Sequence, residues 1–316
     1  MNNGTKIILV LIALLGLGGY FLSRSTSEKT MATTSTHVAQ TARCPRVAST
    51  TVVGNEPDPI YDINSNIVSL QNVVPGTPVT YSFTINDNQN RIIKDFKVER
   101  EKLLHLIVVR KDLTEFQHVH PTFDSNSGKF TISDLTFPSA GEYRLFADFA
   151  PQCGPIDAEG SPLPLNKSED IRVKGVYNPI TLGADSMTNT IDGYVINLNT
   201  KPHPLTKGAN MFTFAVSQNG KPVTNLEDYL GALGHAVILK EGTLDYIHTH
   251  ALEGASSSQN GTINFHVEFP SAGKYKVFMQ FQRNGTVETS QFVVSINNVT
   301  GGSMEASPSM QHSMHQ

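Results

Sequence analysis

The chain has 316 residues, 39% of them hydrophobic and 16% charged, with a formal net charge of −4. That length suits two domains of about 100–150 residues, each able to bury a core of its own. The charge balance supplies no basic stripe for phosphate, so nucleic acid is excluded as an expected partner.

Residues 7–22, IILVLIALLGLGGYFL, are uncharged and follow Lys6. This run falls between the core of a signal peptide and a spanning helix of about 20 residues. Residues 1–24 therefore read as a signal peptide or an N-terminal membrane anchor. Either places the remainder outside the cytoplasm, membrane-anchored or secreted, in a periplasm or at a cell surface. Residues 25–55 are rich in Thr, Ser and Ala and read as a linker. The chain's two cysteines, Cys44 and Cys153, are free to form a disulfide in an exported protein. A thiolate metal ligand is the other reading of the pair, but the second repeat described below has no cysteine at the matching place.

From residue 56 onward the chain reads as short β-branched and aromatic runs punctuated by Gly, Pro, Asn and Asp. The first set of expected strands is 66–72, 79–86, 103–110, 116–121, 129–136, 142–149 and 169–175. A second set follows at 193–199, 210–217, 233–240, 246–251, 261–268, 274–282 and 286–296. The two sets are copies: FPSAGEYRLFADF (137–149) returns as FPSAGKYKVFMQF (269–281). A unit of this size is a duplicated domain rather than a solenoid repeat of about 20–50 residues. The expected fold is all-β, two tandem immunoglobulin-like β-sandwich domains at 56–176 and 177–299. Gly141-Glu142-Tyr143 and Gly273-Lys274-Tyr275 fit the tyrosine corner of such folds. Residues 300–316 form a Met/His-rich tail with Met304, Met310, His312, Met314 and His315.

Residues 105–121 and 235–251 align without a gap, and only the histidines are identical: His105, His118 and His120 against His235, His248 and His250. LIVVRKDLTEFQ has meanwhile drifted to AVILKEGTLDYI. Residues two apart on a strand share a face, so His118 and His120 point the same way. A hairpin turning at Asp112–Thr114 sets 105 opposite 120 and 107 opposite 118, which brings the three imidazoles together. The same spacing sets 235 opposite 250. Three neutral imidazoles on a rigid hairpin suit a borderline transition-metal ion, copper or alternatively zinc. The competing reading is a cluster of core histidines bonded to backbone. The thioethers of the tail are soft ligands that favour Cu(I) and tilt the choice toward copper. His37, His203 and His266 lack a repeat partner or an inward position and are left out. No Ser/His/Asp order, paired catalytic carboxylates or HExxH helix is present, so no catalytic residue is assigned.

Phe116–Pro121 resembles the His-x-His strand of copper/zinc superoxide dismutases, which also use an immunoglobulin-like sandwich. Those enzymes need a bridging histidine, a further copper histidine and a zinc-loop aspartate, and no spaced His/Asp set after Phe149 supplies them. KPVTNLEDYLGALGHAVILKEGTLDYIHTH (221–250) with FPSAGKYKVFMQFQRNGTVETSQFVV (269–294) resembles poorly characterised bacterial exported proteins associated with heavy-metal handling. In these a G-H-x-V strand, an H-x-H strand and an F-Q-R-x-G hairpin recur. In the first repeat Leu104 stands where the pattern has Gly234, and residues 150–168 replace the tight hairpin. The resemblance implies the same six histidines and names no reaction. The expected function is non-enzymatic: an exported, membrane-tethered protein that sequesters or delivers a transition metal, with a metal-efflux or metal-acceptor protein as partner. A cell-envelope binding or adhesion module with structural histidines is the alternative, and a copper-dependent redox enzyme resembling superoxide dismutase the third.

Overall fold

The computed structural model describes residues 61–65, 70, 72–252 and 260–298. The described strands of the first repeat are β1 (Tyr61–Ser65), β2 (Val79–Asp87), β3 (Phe96–Lys97), β4 (Leu104–Arg110), β5 (Phe116–Val119), β6 (Thr122–Asp124), β7 (Lys129–Leu135), β8 (Gly141–Pro151) and β9 (Leu165–Val173). Those of the second are β10 (Thr188–Ile191), β11 (Tyr194–Lys201), β12 (Gly208–Gln218), β13 (Lys221–Pro222), β14 (His235–Lys240), β15 (Tyr246–His250), β16 (Thr262–Phe269), β17 (Gly273–Arg283) and β18 (Thr286–Ile296). No helix among the described residues is long and apolar enough to cross a membrane.

Each repeat is a sandwich of two antiparallel sheets. In the first, β1-β2-β7-β6 faces a sheet in which β8 pairs β4 and β9 along its length and β3 at its end, with β5 outside β4. In the second, β10-β11-β12 with β16 faces β15-β14-β17-β18. The alternation of β2 sends Tyr81, Phe83 and Ile85 into the first core, where Phe83 stacks on Phe130. Phe212, Phe214 and Phe265 fill the second in the same way. Tyr143 donates its hydroxyl to the Ser139 carbonyl and Tyr275 to that of Ser271, the corner expected from both G-x-Y triplets. Gly141 and Gly273 hold φ of 139° and 137°, open only to glycine at low cost.

Strand β4 is buried along its whole length, unlike a strand with one wet face. Leu104, Leu106 and Val108 enter the first core. Ile107 and Val109, on the opposite face, join Val237, Leu239, Phe146 and Phe278 in a separate cluster built from both repeats. The runs LHLIVVR and HAVILK are thus central strands covered on both faces, and the two sandwiches form one compact unit by packing these sheets together. The contacts are reciprocal. Phe116 stacks on Phe278 with ring centroids 4.3 Å apart, and the equivalent Tyr246 stacks on Phe146 at 4.7 Å.

Most of the strand expected at 66–72 lies outside the described residues, and the described strand on that edge is Tyr61–Ser65. The last strand of the first repeat begins at Leu165 rather than 169, because its polar alternation LNKSED offers little apolar signal. β3, β6, β10 and β13 were not expected, each being too short to display a period. Cys153 is disulfide-bonded. Cys44, the segment 1–24 and the tail residues Met304, Met310, His312, Met314 and His315 lie outside the described residues.

Candidate metal centre

Register follows the predicted spacing in both hairpins, although the first ladder ends one step short of the expected His105–His120 pair. Ile107 pairs with His118, one step from Leu106 and Val119; in the second repeat His235 pairs with His250 and Val237 with His248. Leu113 takes φ of 63° to close the first hairpin, and Asp112 accepts the Thr114 hydroxyl inside it. His105 and His235 lie on the same strand faces as Ile107 and Val237, hence at the junction of the two sandwiches, and both are buried.

Hydrogen-bond partners assign the tautomers. Nε2 of His105 donates to the Glu99 carbonyl at 3.1 Å, and Nε2 of His235 to the Tyr229 carbonyl at 2.8 Å. Nδ1 of His118 donates to Oε1 of Gln280 at 2.7 Å, and Nδ1 of His248 to Oδ2 of Asp148 at 2.7 Å. Carbonyl and carboxylate oxygens only accept, so these protons belong to the histidines. What remains on each ring is a bare lone pair aimed inward: Nδ1 of His105 and His235, Nε2 of His118 and His248.

In the first triad Nδ1 of His105 lies 3.0 Å from Nε2 of His118 and 3.1 Å from Nε2 of His120. Two ligands on zinc or copper bonds of about 2.0–2.1 Å stand this far apart when they subtend roughly 95–100°. In the second triad, Nδ1 of His235, Nε2 of His248 and Nε2 of His250 are all buried, and none has a hydrogen-bond partner. One ligand nitrogen from each histidine comes within 4.8 Å of the others in both groups. A buried polar atom left unpaired costs about 1–3 kcal/mol, so three converging at one point is a costly arrangement for a structural cluster. A cation accepting all three lone pairs removes that cost, and the residues present fit a metal ion.

Electrostatics keep His105, His118, His120, His235 and His250 in their binding form. Burial, followed by the proximity of other imidazoles, lowers His105 to about 4 and His120 and His235 to about 3. The same causes lower His118 and His250 well below the ordinary histidine value. Neutral imidazole is the form that coordinates.

Asp148 and Gln280 were not singled out from sequence. They occupy matching positions in FADF and FMQF, polar residues interrupting apolar central strands, and that interruption was the available signal. Asp148 also accepts the hydroxyl of Tyr246 at 2.5 Å and the amide of Asn166. His203 and His266 are exposed and stand apart from the triads, while His37 lies outside the described residues.

A model of a domain of unknown function, DUF8832, matches residues 62–157 and 189–298, one segment in each sandwich. The chain belongs to the DUF8832 family. No curated protein sequence matches this DUF8832 chain. Solved structures similar to it include the soluble domain of PmoD from Methylocystis, at 13% identity and TM-score 0.26, covering 35% of this chain and 97% of that one. The bacterial integrin-binding protein invasin is similar at 13% identity and TM-score 0.23, over 76% of this chain and 39% of its own. Latent PorU from Porphyromonas gingivalis shares 12% identity at TM-score 0.25, over 77% of this chain and 25% of its own. These scores are too low to bear on the site.

Proposed function

We propose that this DUF8832 protein binds transition-metal ions outside the cytoplasm, with copper the preferred ion and zinc the alternative, and sequesters them or passes them to an acceptor or efflux partner. Residues 7–22 would serve as its export signal or anchor. The observation that carries the reading is the set of three buried, unpartnered nitrogens of His235, His248 and His250, with the nitrogens of His105, His118 and His120 converging at the equivalent place in the first repeat. Imidazole suits copper and zinc, and a carboxylate behind a ligating histidine, as Asp148 stands behind His248, is the usual outer support of such ions. Asp148 is committed to His248, Tyr246 and Asn166, which supports holding an ion rather than proton transfer to a substrate.

In this reading His105 and His235, fixed by backbone carbonyls on doubly covered strands, set the position of the ion. The two H-x-H strands complete the set. Titration of the full chain with Cu(II) and with Zn(II) tests it. Uptake should approach one ion for each of the two triads and disappear in His118→Ala with His248→Ala. Absence of binding at micromolar metal would overturn the proposal.

A further inference from the structure

The two triads are neighbours across the junction of the repeats. Ring centroids of His105 and His248 are 5.6 Å apart, and those of His118 and His248 5.8 Å. Within the second triad His235 and His248 are 6.0 Å apart, so the separation between triads is no greater than a separation inside one. Each triad is also braced by the opposite repeat: His118 is held by Gln280, and His248 by Asp148. From these contacts we infer that the six histidines form one composite two-ion centre with unequal halves, in which the triad of His235, His248 and His250 takes the first ion. The inference rests on the metal-binding reading above and adds the order and coupling of filling.

The inequality lies in one pair of equivalent residues. Asp148 places a carboxylate on the Nδ1 proton of His248, which raises the basicity of Nε2 and puts negative charge near the ion. Gln280 offers His118 only a neutral amide oxygen, oriented by its own bond to Thr289 Oγ1. Tyr246 reinforces the difference, since it holds Asp148 where the equivalent Phe116 can hold nothing. The charge of Asp148 also reaches His105, its cross-strand partner, so the inequality rests on its direct bond to His248. The other charges acting on the cluster are Lys102, near His105 and His120, and Arg100, near His235 and His250. They offset each other between the halves. Six neutral imidazoles and one bound carboxylate do not cancel two divalent ions. The second ion therefore enters against the charge of the first.

Competition titration of the full chain with Cu(II), followed by electron paramagnetic resonance at one and two equivalents, tests the inference. The wild type should fill in two steps, and the spectrum at two equivalents should show the broadening and lost intensity of interacting ions. Asp148→Asn should weaken the first step about 10–100-fold, the usual effect of an outer-support substitution. Gln280→Glu should tighten the second step and leave the first within a few-fold. Two equal steps, two additive spectra of isolated ions, or a Gln280→Glu titration identical to wild type would overturn the inference while leaving metal binding intact. No uptake by the wild type would instead overturn the functional reading on which it stands.

Discussion

Acidification of the metal-free protein should destabilise it steeply between pH 6.5 and about 4. The folded values of His105 and His235 are lowered to about 4 and about 3, mainly by burial. Lowered values mean that the unfolded chain takes up these protons near pH 6.5 while the folded chain refuses them. The stabilisation is complete above pH 6.5 and is lost as pH falls toward the folded values. Each histidine contributes about 1.4 kcal/mol per pH unit across that window. From pH 7 to 4.5 the two together remove roughly 5 kcal/mol, a large share of the 5–15 kcal/mol typical of folded domains. The chain contains no tryptophan, so urea unfolding is best followed by far-ultraviolet circular dichroism. The variant His105→Gln with His235→Gln separates this effect from carboxylate protonation and should lose the roughly 5 kcal/mol these two supply between pH 7 and 4.5, leaving the share of His118, His120 and His250. Equal stability of the wild type at pH 7 and 4.5, or the same loss in the variant, would refute the reasoning.

Phe278→Ala removes a fully buried ring stacked on Phe116 and should cost about 3–5 kcal/mol while lowering metal uptake in both halves, measured by denaturation and titration on the same preparation. Gly234→Ala brings a β-carbon within 2.8 Å of the Gln280 carbonyl and 3.2 Å of Ile263; overpacking of this kind costs about 1–3 kcal/mol, checked by the urea midpoint. Tyr143→Phe deletes the hydroxyl that joins Ser139 to Glu115 and should cost about 0.5–1.5 kcal/mol without changing metal stoichiometry.

The hairpin geometry was legible because a strand has a period of two and the duplicated segments differ everywhere except at the histidines. Those two facts place His118 opposite Ile107 and His250 opposite His235 before any coordinate is consulted. The packing of one sandwich on the other was not legible. LHLIVVR and HAVILK read as strands, but a run of apolar residues does not name what covers either face. For the same reason the bracing of each triad by the other repeat escaped the sequence reading: Asp148 serves His248, and Gln280 serves His118, across a junction no local pattern records. The short strands β3, β6, β10 and β13 escaped because two to four residues carry no period.

The central claim is that inward nitrogens of the six histidines hold the two ions, three to each. X-ray absorption at the metal edge of full-length protein loaded with copper tests it most directly. The account predicts a first shell of nitrogen at about 2.0 Å with the outer-shell scattering of imidazole rings, absent from the variant His118→Ala with His248→Ala. A first shell of oxygen without imidazole scattering, or a spectrum unchanged in that variant, would contradict it.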